Sequence, residues 1–187
     1  AFERIGDTVT IDLQPWHRRW SHSLVLAVAL GVAWAIYLIG ALLLGRLWWP
    51  LAVAYLAFVL WGEVNVMRKN CVNCAYYGKL CALGKGKLAG LLFGRGDPAQ
   101  FAARQATWRD VLPDMLASAA PLVGGIVVLI RGFRWGTLLL LALFVALTLG
   151  GNAVVRGMFA CKHCKQRELG CPAEQLFGGK PAKGPAG

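Results

Sequence analysis

The sequence predicts an all-α integral membrane protein with four transmembrane helices, arranged as two tandem helical hairpins. Each hairpin is followed by a cytoplasmic Cys-x2-Cys-x6-Cys loop. Three observations carry this expectation. The 187 residues are 57% hydrophobic and only 16% charged, against about 45–50% and about 25% in soluble domains. The apolar excess lies in four blocks with the charges between them, which is the pattern of spanning segments. All six cysteines fall in two clusters of identical spacing outside those blocks.

Residues 1–22 form a polar, aromatic N-terminal segment, with Trp16, Arg18, Arg19 and Trp20 crowded before the first apolar block. Trp and Arg in that position mark a membrane–water interface. Thr8 to Leu13 alternates weakly, as a short strand would. The first hairpin is placed at 23–67. Ser23 to Gly45 contains no charge and reaches the ~20 apolar residues that a spanning helix needs. No small-residue cleavage site follows it, so a removable signal peptide is not expected. Arg46, Trp48, Trp49 and Pro50 make a tight turn, and Leu51 to Met67 returns with Glu63 and Asn65 near its end.

Residues 68–111 are a basic loop holding the first cysteine motif. Its glycines, from Gly84 to Gly96, predict largely irregular chain. Asp97-Pro98 offers an N-cap and a first-turn proline. Phe101, Trp108 and Leu112 then recur at helical spacing, which predicts an amphipathic helix on the membrane surface. The second hairpin occupies 112–156. Met115 to Ile130 is its first span, interrupted by Pro121 and Gly124-Gly125, and Trp135 to Val155 is its second. Proline and glycine are tolerated there where neighbouring helices satisfy the freed backbone. Residues 157–187 carry the second cysteine motif and a Gly/Pro/Lys/Ala tail expected to be disordered.

The net charge of +11 is read as cationic retention on one side of a membrane, not as a nucleic-acid footprint. Arg46, Arg131 and Arg134 stand in the two tight turns. All the rest of the 20 Lys and Arg residues lie on the side of the termini and cysteines. The positive-inside rule assigns that side to the cytoplasm. A bacterial or archaeal inner membrane, with both termini cytoplasmic, is the expected location.

The two halves share one order: span, Arg-containing turn, span, Cys-x2-Cys-x6-Cys. The motifs are Cys71, Cys74, Cys81 and Cys161, Cys164, Cys171. Two transits per half leave both halves in the same orientation, so the repeat is parallel. Cys-x2-Cys lets two thiolates converge on one metal ion. Disulfides compete for the same residues but are rare in cytosolic loops.

Three cysteines leave a tetrahedral zinc one ligand short. His163 could complete the second motif, but its counterpart in the first is Asn73. Cys71, Cys74, Cys161 and Cys164 could form one four-thiolate site, leaving Cys81 and Cys171 over. Two zinc ions sharing all six thiolates leave no cysteine unused. The spacing, best seen in Cys161-Lys162-His163-Cys164-Lys165-Gln166-Arg167-Glu168-Leu169-Gly170-Cys171, resembles a half of the fungal zinc binuclear cluster. The resemblance covers the two short stretches and implies only that such a six-thiolate unit is geometrically feasible.

A [4Fe-4S] cluster is the alternative cofactor, because thiolates hold these clusters too. Cys171-Pro172 is similar to the Cys-Pro after the last ligand of bacterial ferredoxin motifs, whose full run is absent here. The expected function is thus a metal-binding membrane subunit. Its cysteine motifs lock the basic cytoplasmic face into a docking platform for a membrane or soluble protein partner. An iron–sulfur electron-transfer subunit and a thiol–disulfide oxidoreductase are the alternatives. No catalytic triad, carboxylate pair, P-loop or Asp-His-His-Cys core stands in the sequence, so a non-catalytic subunit is the expectation. His17 and His22 are read as interfacial packing beside Trp16 and Trp20. Gly84-Lys85-Gly86-Lys87 is read as a loop touching anionic lipid.

Overall fold

A computed structural model describes residues 2–5, 8–11, 22–79, 81, 83–98, 101, 107–155 and 164. Two short strands come first, β1 (Phe2–Ile5) and β2 (Thr8–Ile11). They pair antiparallel with Phe2 opposite Ile11 and Ile5 opposite Thr8. The alternation at Thr8 is thus a strand, whose partner is the preceding segment. The helices are α1 (His22–Gly45), α2 (Trp49–Lys69), α3 (Lys85–Leu92), α4 (Trp108–Arg131) and α5 (Trp135–Ala146). A π-helical turn, Leu147–Gly151, extends α5. Four helices are long and apolar enough to cross a membrane: Leu26–Gly45, Trp49–Asn73, Trp108–Arg131 and Trp135–Val155.

Helix α1 packs against α2, α4 and α5. Ile36, Ile39 and Leu43 of α1 meet Leu141 and Phe144 of α5 in one buried cluster. Ala41 and Leu44 meet Tyr55 and Val59 of α2 in another. Glycine decides how close α4 comes. A Cβ at Gly124 would lie 2.6 Å from Leu44 Cδ2, and one at Gly125 would lie 2.8 Å from Leu141 Cδ1. Small residues that let neighbouring helices approach are the usual packing device in membranes, where the lipid is as apolar as leucine. Pro121 is fully buried one turn earlier. Away from these seams the apolar side chains point outward: Leu60 and Leu139 are 66% exposed and Ile130 is 79% exposed. A soluble bundle would bury such residues. Spanning helices present them to lipid.

The connections are short and capped. Arg46–Trp48 links α1 to α2, and Pro50 occupies the first turn of α2, where a missing N–H costs nothing. Arg46 Nη1 donates to Thr137 Oγ1 at 2.9 Å, joining that turn to the first turn of α5. Thr107 caps α4, with the Asp110 carboxylate accepting its N–H at 3.2 Å and its hydroxyl at 3.0 Å.

Two sequence expectations change. Pro98 and Phe101 are helical, in line with a helix opening at Asp97-Pro98, but Trp108 and Leu112 are not part of that element, because Thr107 starts α4 there and the third candidate span runs from Trp108 to Arg131. The capping box sets this boundary where hydropathy alone does not. The glycine-rich stretch after the first cysteine motif is not irregular throughout, since Lys85–Leu92 is helical. Its glycines serve packing, as shown below. The expected disorder of the tail lies outside the described residues.

Candidate metal-binding loop and the buried charge beside it

Helix α2 ends at Lys69, and Cys71–Asn73 continues it as a 3₁₀ turn. Successive tight turns follow. Cys74 N–H donates to Cys71 O at 3.3 Å, Tyr77 N–H to Cys74 O at 3.0 Å, and Lys79 N–H to Tyr76 O at 3.0 Å. Gly84, at φ 71°, precedes α3. Gly78 has the same left-handed φ. Both positions suit glycine because it has no Cβ to clash in that region.

Helix α3 then folds back onto the cysteine turns. Gly78 N–H donates to Gly86 O at 3.0 Å and Gly96 N–H to Val72 O at 3.0 Å. The Tyr77 hydroxyl donates to Phe93 O at 2.7 Å. A Cβ on Gly86 would lie 2.4 Å from Tyr76 O, and one on Gly90 would lie 2.7 Å from Gly78 Cα. Two backbones are therefore in direct contact, which explains why glycine recurs in this loop.

Cys81 Sγ receives the Gly86 N–H at 3.4 Å. Cys71 is half-buried and close enough to Cys81, Lys85 and Glu63 for their charges to act on it. The first motif is thus part of a folded unit in which Cys71 and Cys81 are neighbours. No disulfide joins the described cysteines. Among the described residues, no three His, Cys, Asp or Glu side chains stand at metal-ligand spacing. Cys164 is half-buried, while Cys161, His163 and Cys171 lie outside the described residues.

Beneath this loop sits a charged group near the end of the second span. Glu63 is the sole acidic residue of α2. Its Oε2 pairs with Lys85 Nζ at 2.5 Å, and its Oε1 accepts the Tyr37 hydroxyl at 2.5 Å. Lys85 and Glu63 side chains are 24% and 25% exposed. Glu63 lies six residues before the end of α2, about 9 Å along the axis at a rise of about 1.5 Å per residue. The cysteine loop thus reaches down to a carboxylate inside a candidate span, and α1 reaches the same carboxylate with a tyrosine. Ionisable residues within spanning segments are costly and retained for a purpose. That default rule was the available signal for Glu63. Nothing local marks Lys85 or Tyr37 as its partners, because they lie 22 residues after it and 26 before it.

The second helix pair has a different polar feature at its corresponding end. Asn152 Nδ2 donates to Thr148 O at 3.0 Å, across the π-helical turn. Gly151 lies against Val32 of α1, where a Cβ would approach Cγ1 to 2.9 Å. No protein-family model, curated protein or solved structure matches this chain.

Proposed function

We propose that this chain is a metal-binding membrane subunit of two tandem hairpins, in which Cys71, Cys74, Cys81, Cys161, Cys164 and Cys171 hold two zinc ions on the cytoplasmic face. The metal unit fixes the two basic loops as a docking platform for a protein partner. The observation that carries the reading is the Gly86 N–H directed at Cys81 Sγ, within a loop that makes Cys81 a neighbour of Cys71. A backbone N–H aimed at sulfur is the kind of supporting contact that orients a metal-binding cysteine.

Charge supports it as well. Six thiolates with two divalent ions leave a net negative unit, and Lys85, paired with Glu63, lies beside the first motif. The segregation of Lys and Arg supports a reducing compartment for the thiols, where metal ligation outlasts disulfides. The role proposed for the metal is structural.

Metal content and an absorption spectrum of anaerobically purified protein in detergent test this directly. Zinc near two per chain without visible colour is the expected result. Iron near four per chain with matching sulfide and brown absorbance would replace the platform with an electron-transfer centre. Absence of metal with oxidised cysteines would overturn both the ligation and the cytoplasmic orientation.

A further inference from the structure

Helix α3 has two unlike faces. Gly86, Ala89 and Gly90 turn toward the cysteine loop: Gly86 and Ala89 are buried, and a Cβ at Gly90 would strike Gly78. The opposite face holds Leu88, Leu91 and Leu92, which are 47%, 74% and 59% exposed. At about 100° per residue these three leucines form one stripe. Lys87 stands beside them, and Lys87, Lys79 and Arg95 are all exposed.

The level of α3 is set by contacts at its start. A Cβ on Gly84 would lie 3.0 Å from Leu26 Cδ1, and Leu26 lies four residues into α1, near the start of the first spanning helix. Lys85 is pinned to Glu63, inside the second. Its leucine stripe therefore sits where the spanning helices enter the apolar layer, next to their own outward-facing side chains. An eight-residue helix is too short to hold a membrane alone. This one is tethered through its N-terminus and its glycine face.

We propose that α3 is an interfacial helix whose Leu88, Leu91 and Leu92 insert into the headgroup–acyl boundary of the protein's own bilayer. Lys79, Lys87 and Arg95 extend to anionic headgroups around it. Amphipathic helices with apolar and basic side chains lie in this layer, and basic side chains there snorkel to the surface. The cysteine loop is then held against the membrane, and the docking platform is made of protein and lipid together. This inference rests on the membrane reading above. It does not require metal.

The test uses the full chain in nanodiscs of phosphatidylcholine and phosphatidylglycerol. A fluorescent amino acid is placed in separate variants at Leu88, Leu91, Asp97 and Leu143. All four positions are exposed. Lipids brominated on the acyl chain quench from the bilayer, and iodide quenches from water. Strong bromolipid quenching at Leu88, Leu91 and Leu143, several-fold above that at Asp97, supports the proposal. Iodide quenching at Leu88 and Leu91 with bromolipid quenching kept at Leu143 overturns it and leaves the membrane reading intact. That result would give the leucine face to a soluble partner. Loss of bromolipid quenching at Leu143 as well would overturn both.

Discussion

The two helix pairs follow one order in sequence but solve the burial of polarity differently. In the first, α1 and α2 share a carboxylate: Tyr37 and Lys85 both reach Glu63 from other elements. In the second, Asn152 bonds back to Thr148 of its own helix, and α5 carries a π-helical turn at that point. The first arrangement is long-range and ties a loop to the bundle. The second is local. Among the described residues, a change at the first cysteine loop can therefore be felt inside the bundle through the first pair. The second contributes glycines and proline that admit α1 to close contact.

The largest expected effect tests whether the halves act as one. Under the proposed shared unit, Cys161→Ser releases metal from the first motif as well as the second. Structural zinc binding is worth about 10–16 kcal/mol, so the loss is visible as metal stoichiometry falling well below half. A first motif that stays loaded in Cys161→Ser means two separate sites.

Packing at the central seam comes next. Gly124→Leu forces a side chain where even a Cβ meets Leu44 at 2.6 Å. Overpacking costs about 1–3 kcal/mol, read as a lower thermal midpoint in detergent. Gly31→Leu is the control, because nothing lies within 4 Å of a Cβ there, and its midpoint should hold.

Glu63→Ala removes the carboxylate that Lys85 and the Tyr37 hydroxyl both reach. Breaking a fully buried ion pair costs about 3–5 kcal/mol. A quarter-exposed pair should fall below that, at about 1–3 kcal/mol. The comparison sharpens with Asn152→Ala, which should cost about 1 kcal/mol, the worth of one ordinary hydrogen bond. Equal losses from the two variants would erase the distinction between the halves.

Gly86→Ala should leave the four long helices intact, by circular dichroism. It drives a methyl into Tyr76 O, so Cys71 and Cys81 should react faster with a soluble maleimide. The smallest effect is at Tyr55, whose hydroxyl is buried without a partner among the described residues. Tyr55→Phe removes a polar group that gains no bond, so stability should hold or rise by about 1 kcal/mol.

Much of the fold was readable from composition. A run such as Leu24 to Leu44 admits few alternatives, because each backbone group must be satisfied within the helix itself. Boundaries were harder. The capping box of Thr107 and Asp110 competes with hydropathy and moves the third helix start to Trp108. The helical state of Lys85–Leu92 was hidden, since its glycines signal irregular chain. Here they answer to a backbone contact. The cysteine motif was legible as spacing, but its folding onto α3 was not, because Gly96 to Val72 and Gly78 to Gly86 are bonds between distant segments.

The amino-acid order by itself determined four apolar helices, their short Arg-containing turns, and two equal sets of three thiols. Those follow from local terms: burial per residue, backbone satisfaction and turn chemistry. The tertiary structure alone decided that α1 and α4 each contact all three other spans, that Cys71 and Cys81 are neighbours, and that Glu63 is held by Tyr37 and Lys85. Each depends on which surfaces meet. Hydrophobic burial is non-directional, and it selects no partner until shape, glycine contacts and paired charges do.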